Sequence, residues 1–373
     1  MMKRKSSIVN SRLRQARIVN GKTAKAIADE VGISAQALSQ YELGKTVPSE
    51  DIFKKLVDLY GLPSNFYLKE DQSSIEEKTV FFRSFSSTTK FRREMAFVEA
   101  KWFVHNIVET IEKKIKLPAV DPLFIKIKES TNIDLERLDV ESLSKIIRRD
   151  WNLRYAPIDD LMFELEQRGV IVAKLDLADD IDGFSFWSND RPYIFVNKNN
   201  NFFRLRMSMA HELCHLFFHG AIEDIPKNLK RVEDEAKSFA GAFLMPENKF
   251  IDYIITTNLN ELALLKSKLK VSLAAIVKRC EQLGLISEER SISLNKQISK
   301  NKWRKIEPYD DLYKPENPRL MRQAITLLVE KGIYSKSQLI DLFALDTNFI
   351  EDVCCLEKNY LSGNKIIKFE IIK

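Results

Sequence analysis

The sequence predicts a multidomain, mainly α protein: an all-α head of short helices, an α+β domain with a small sheet, and a helical C-terminal part. Three observations predict it. The chain has 373 residues, more than one ordinary core accommodates. Short amphipathic segments punctuated by Thr23, Gly32, Ser34, Gly44 and Pro48 open it. Three apolar runs bounded by Gly, Asp, Asn or Pro cluster between Val170 and Val196, and the apolar residues beyond them recur at helical spacing.

In the head, a first helix is expected from about Val9 to Ile18 and a second after the N-cap Thr23. Gly32 breaks that helix, Ser34 caps a third that ends at Gly44, and Pro48-Ser49 opens a fourth carrying Ile52, Phe53, Leu56 and Tyr60. Thr23 to Gly44 therefore reads as a helix-turn-helix, with Ala28, Val31, Ile33 and Leu38 packing the angle between its helices. Eight basic residues and no acidic one precede Asp29 (Lys3, Arg4, Lys5, Arg12, Arg14, Arg17, Lys22, Lys25). A one-ended basic cluster is an electrostatic footprint for a polyanion, and a solvated terminus is the bland alternative.

Residues 69–80 turn polar and read as a linker. The stretch from Val80 to Thr88 looks extended, and a long helix is expected from about Thr89 to Lys116. Shorter helices follow at Val140 to Trp151 and Ile158 to Arg168, then strands at Val170–Ala173, Gly183–Trp187 and Tyr193–Val196. The expected domains are 9–68 for the head, 81–287 for the α+β domain, and 288–373 for a mostly helical region with no chemical signature. A last short strand is expected from Ile366 to Ile372.

Composition narrows the class. Hydrophobic residues make up 45% and charged residues 30%, the balance of a globular protein and not of a disordered or fibrous one. No uncharged run approaches the roughly 18 residues that span a membrane. Met1-Met2-Lys3-Arg4-Lys5 leads into polar residues, so no signal peptide is expected. Cys214, Cys280, Cys354 and Cys355 suggest no disulfide framework, and a cytoplasmic location fits.

The chemistry concentrates in His211-Glu212-Leu213-Cys214-His215. Residues four apart on a helix lie one turn on, rotated by about 40°, so both imidazoles project from one face and can bind one zinc ion. Glu212 lies about 100° around from His211, too far to be a ligand from the same turn but placed to take a proton from a metal-bound water. Three of the four histidines fall between His211 and His219. Yet His219 stands about 12 Å along the axis from His211, so all three should not converge on one ion. The third ligand is expected from the next helix. Glu233, Asp234 and Glu235 sit there among Val232, Ala236, Phe239, Ala240, Phe243 and Leu244, and periodicity does not choose between Glu233 and Glu235.

Arg204 to His219, followed by Glu235-Ala-Lys-Ser-Phe-Ala-Gly-Ala-Phe-Leu-Met-Pro246, resembles the ImmA/IrrE family of zinc metallopeptidases. The resemblance extends over roughly Phe81 to Leu285, with Gly183-Phe-Ser and the strand up to Asn197 flanking a cleft where an extended peptide can pair. It implies a zincin-like, gluzincin-type fold with one Zn2+ held by His211, His215 and Glu235, and Glu212 as the catalytic base. Cys214 stands where the family usually has Gly, and a packed thiol is the simple reading.

Residues 9 to 68, ending the motif in Leu38-Ser-Gln-Tyr-Glu-Leu-Gly-Lys-Thr-Val-Pro48, resemble the Cro/C1-type (XRE) DNA-binding domain. The resemblance puts Ala35, Gln36, Ser39 and Gln40 at base edges in the major groove of double-stranded DNA, with Ser34, Lys45 and the basic arm on phosphates. Ala24 departs from the phosphate-contacting Gln common in that family. Together the two resemblances imply a DNA-binding regulator, with a homodimer as a possible form and no membrane. Its endopeptidase domain would cleave a repressor-type protein partner through Glu212-assisted attack of zinc-bound water. The rival is a transcription factor whose zinc domain senses or scaffolds without turnover.

Overall fold

A computed structural model describes residues 8–71, 81–82, 89–129, 139–220 and 225–363. The head contains α1 (Asn10–Val19), α2 (Ala24–Val31), α3 (Ala35–Glu42), α4 (Glu50–Tyr60) and a 3₁₀ turn, Ser64–Leu68. Then come β1 (Phe81–Phe82), α5 (Lys90–Trp102) running through a π-helical stretch, Phe103–Val108, into α6 (Glu109–Glu112), and α7 (Pro122–Glu129). Next are α8 (Val140–Asp150), α9 (Leu161–Glu166), β2 (Ile171–Leu175), β3 (Gly183–Ser188), β4 (Arg191–Asn197) and α10 (Phe202–Cys214), which continues as a π-helical turn, His215–His219. α11 (Ile225–Leu244), α12 (Glu247–Tyr253), α13 (Leu259–Leu269), α14 (Leu273–Gln282), α15 (Glu288–Lys300), α16 (Leu320–Glu330), α17 (Lys336–Phe343) and α18 (Thr347–Val353) follow. The protein is mainly helical with one small sheet, as the sequence predicts. The expected strand at Ile366–Ile372, most of the 69–80 linker and Lys3 to Lys5 lie outside the described residues.

The head forms for local reasons. Thr23 Oγ1 accepts from the Ala26 amide at 3.2 Å, Ser34 Oγ from Ala37 at 3.0 Å and Ser49 Oγ from Ile52 at 3.4 Å, so three helix starts are capped by the residues marked for it. Gly32 ends α2 with φ 82°, a left-handed conformation that costs glycine least. Ile27, Ala28, Val31 and Leu38 are buried between the helices, and Ile33 is half-buried.

Two compact units emerge, and their limits differ from the expected domains. One gathers the described residues of 8–71, 89–117 and 318–363; the other gathers 81–82 and those between 118 and 317. The first unit is knotted around α5 and its π-helical extension. Trp102 stacks edge-on against Phe66 at 5.0 Å and Phe349 at 6.0 Å, and its indole donates to Gln15 Oε1 at 2.8 Å. Asn106, fully buried, donates to the Phe343 carbonyl at 2.8 Å. The buried residues of this stretch need cover, and here the head supplies one part and α17–α18 another. Residues 90–117 and 318–363 thus group with the head.

In the second unit the sheet order is β1-β3-β4-β2; β2 and β4 run parallel and the other pairs antiparallel. α10 packs against β3 and β4 on one side and α11 on the other, and eleven of its thirteen residues are buried. Residues 301–317, expected in the helical tail, are strapped onto this unit by buried cations. Lys266 Nζ lies 2.7 Å from Asp310, 2.8 Å from Glu307 and 2.8 Å from the Pro308 carbonyl. The Arg206 guanidinium pairs with Glu316.

Candidate metal centre

α10 starts where Asn201 Oδ1 accepts from the Arg204 amide at 2.9 Å, and it carries His211 and Glu212 into the middle of the unit. His211, Glu212, His215 and His219 are each no more than 2% exposed. Burying four polar side chains on one helix is costly unless they find partners. Each does.

The Nε2 atoms of His211 and His215 lie 3.0 Å apart. Glu233, from α11, sets Oε2 at 3.5 Å from His211 Nε2 and Oε1 at 3.6 Å from His215 Nε2. Donors at about 2.0–2.1 Å from a tetrahedral zinc stand about 3.3 Å from one another, so the spacing and the two-imidazole, one-carboxylate chemistry both suit such an ion. The three groups form one potential metal cluster. Burial drives the His215 imidazolium pKa down to about 3. Burial alone would raise the Glu233 carboxyl, but hydrogen bonding from His211 and His215 outweighs it and holds it below the usual carboxylate range. Neutral imidazole beside an ionised carboxylate is the protonation state that a divalent cation requires.

The carboxylate that groups with the two imidazoles is Glu233, while Glu235, the residue the family resemblance points to, stands outside that group. Two residues apart on a helix is a turn of about 200°, so only one of the pair can face α10. Glu235 meets His219 instead, Oε2 to Nε2 at 3.1 Å. The π-helical turn shapes this arrangement. His219 stays out of the three-residue cluster, as its distance from His211 predicts, but its Nδ1 lies 2.7 Å from His215 Nδ1. Trp187 steadies the turn from β3 by donating its indole N–H to the Leu216 carbonyl at 3.1 Å.

Ser185 is a residue that sequence reasoning passed over. Its Oγ donates to Glu212 Oε2 at 2.7 Å, fully buried. The available signal was the two-residue alternation of β3: Gly183, Ser185 and Trp187 share one face, and that face meets α10. Gly183 belongs to the same fit. A Cβ there would stand 2.8 Å from the Phe195 carbonyl oxygen and 3.6 Å from Glu212 Cγ, so the close approach of strand and helix excludes a side chain. β1 covers part of β3's outer edge, pairing Phe81 with Ser185 and Phe82 with Phe184. Cys214 packs in the core, where burial raises its thiol well above the ordinary range, and it stands outside the group of His211, His215 and Glu233.

In the head, Ser34, Ala35, Gln36, Ser39 and Lys45 are exposed and Gln40 is half-buried. They lie along α3 and just beyond it. The basic arm is less free than its composition suggests. Arg12 is buried, donating to the carbonyls of Lys69 at 3.3 Å and Glu70 at 3.0 Å. Arg17 pairs with Glu42 at 2.6 Å, and Lys22 with Glu30 at 2.8 Å. Arg14 is bound to Glu94.

Fold and site together define a helix-turn-helix head joined to a metallopeptidase-like unit. Residues 10–71 match the model of a helix-turn-helix domain, and residues 165–281 match that of the IrrE N-terminal-like domain. The two matches together support a regulator with a protease-like part. No curated protein matches it. Among the described residues, no helix is long and apolar enough to cross a membrane.

Proposed function

We propose that this protein is a DNA-binding transcriptional regulator whose second unit is a zinc-dependent endopeptidase acting on a repressor-type protein partner. The observation that carries the reading is the buried convergence of His211, His215 and Glu233 with Glu212 on the same helix. Those three side chains would hold one Zn2+. Zinc in such a site acidifies a water and polarises a peptide carbonyl. Glu212 takes the water's proton and passes it to the leaving amine. Ser185, bonded to Oε2, keeps that carboxylate aimed. In the head, Gln36 and Gln40 bond base edges, Ala35 and Ser39 lie against them, and Ser34 and Lys45 meet phosphates.

Metal analysis of matched variants tests the peptidase half. Wild-type protein purified without chelators should carry one zinc, Glu212→Gln should keep it and cleave nothing, and His215→Ala should lose it. A wild-type protein that neither holds nor takes up a divalent ion ends the enzyme reading. A zinc scaffold without turnover would instead show the same regulatory output in Glu212→Gln as in wild type.

A further inference from the structure

We infer that His219 and Glu235 form a hydrogen-bonded line behind His215 that fixes its tautomer and ring plane for metal binding. The inference rests on the proposed metal site and adds positioning residues to it.

Its basis is three successive contacts. His215 turns Nε2 toward His211, 3.0 Å away, and Nδ1 toward His219 Nδ1 at 2.7 Å; His219 turns Nε2 toward Glu235 Oε2 at 3.1 Å. A neutral imidazole has one donor and one acceptor nitrogen. With Nε2 of His215 facing a metal, that nitrogen carries no hydrogen, so the hydrogen sits on Nδ1. It is donated to His219 Nδ1, which must then be bare. The His219 hydrogen therefore sits on Nε2 and goes to the Glu235 carboxylate. Each proton has one place, and the line ends on an anion.

This arrangement also explains why His219 is not a ligand. Both its nitrogens are engaged, and it meets the side of His215 opposite the metal face. The π-helical turn His215–His219 makes the contact possible. A turn closed over five residues carries residue i+4 less far around than an α-turn does, so the second ring stands behind the first. Glu235 is reached because it lies on α11 two residues beyond Glu233, one carboxylate facing the metal and the other the line. Its second oxygen lies 3.8 Å from Arg231 Nε. Partners of this kind orient metal-bound imidazoles and typically account for about 10–100-fold in metal affinity.

The test measures zinc affinity of the full chain by competition with a chromophoric chelator, alongside thermal unfolding of the metal-free proteins. His219→Leu should bind one zinc about 10–100-fold more weakly than wild type. His219→Asn, whose Oδ1 can accept from His215 Nδ1, should recover part of that loss. Glu235→Gln should fall between His219→Leu and wild type and still bind one ion. Nitrogen-15 spectra of the zinc-loaded protein, labelled in histidine, should show the hydrogen of His215 on Nδ1 and lose that signature in His219→Leu. Wild-type affinity in His219→Leu overturns the inference, and so does the absence of rescue by His219→Asn when both variants unfold at the wild-type temperature. If Glu235→Gln loses stoichiometric zinc while Glu233→Gln retains it, Glu235 is a ligand and the line does not exist. A wild-type chain that binds no zinc removes the underlying metal reading, an outcome none of the variant results can mimic.

Discussion

In the helix-turn-helix head, Ala35, Gln36, Ser39 and Lys45 lie open to solvent over an interior of Ile27, Ala28, Val31 and Leu38, while in the second unit His211, Glu212, His215 and Glu233 sit inside the fold. The two regions separate function from stability differently. The head keeps its polar contacts on a surface that costs nothing to build, so its core can be apolar and regular. The metal unit buries its polar groups and must satisfy each one, through Ser185, Glu233, His219 and Glu235. Substitutions at the contact surface should therefore change binding and leave folding alone. Substitutions at the metal centre should disturb chemistry and structure together.

The largest effect is expected where the buried chemistry is sharpest. Glu212→Gln should lower cleavage of the natural partner by about 10²–10⁴-fold, the usual contribution of a general base, while zinc content stays at one per chain. Wild-type turnover in that variant would remove Glu212 from the role of base, whereas a wild-type protein that cleaves nothing while Glu212→Gln keeps its regulatory output would assign the metal unit a sensing role and remove half of the contrast. A second strong effect belongs to the buried cation at the strap. Lys266→Met should destabilise the second unit by about 3 kcal/mol, because Glu307 and Asp310 lose the charge between them. Denaturant unfolding read on that unit would detect it, and a loss below about 1 kcal/mol would show that the strap is only loosely coupled to folding.

The head should respond in the opposite pattern. Gln36→Ala with Gln40→Ala should weaken specific DNA binding on the order of 10- to 100-fold, each bidentate contact being worth about 1–3 kcal/mol, with the unfolding midpoint unchanged. Lys45→Ala should weaken binding evenly across sequences and reduce the salt slope by about 1. A gel-shift series over salt separates the two. If both variants bind DNA as wild type does, the head's exposed face serves a protein partner instead.

What could be read in the sequence follows the same division. Thr23, Gly32, Ser34 and Ser49 act within three or four residues of themselves, so the head was legible helix by helix. The strands β2, β3 and β4 were legible because apolar runs and turn residues are local too. His211 and His215 needed only one helical turn. Glu233 was not legible against Glu235, because both flank the apolar stripe of α11; the choice depends on how α11 is rotated against α10. Nor could helical periodicity reveal the π-helical turn that brings His219 onto His215. The partners of α5 and of α16 to α18 were hidden for a related reason: an apolar face declares that it will be covered, not by what.

The smallest prediction separates a residue's structural work from its binding work within the head. Thr23 and Ser34 are both N-caps with similar geometry, at 3.2 and 3.0 Å, so replacing either with Ala should cost about 1 kcal/mol of stability. Only Ser34 starts the helix that carries Gln36 and Gln40. Ser34→Ala should weaken DNA binding beyond the Thr23→Ala effect, by the few-fold expected of one lost phosphate contact. Equal loss of stability with unequal loss of binding would place a phosphate at the start of α3. Equal losses of both would mean that Ser34 acts as a cap alone, and that even on the exposed face of the head stability and function meet in one side chain.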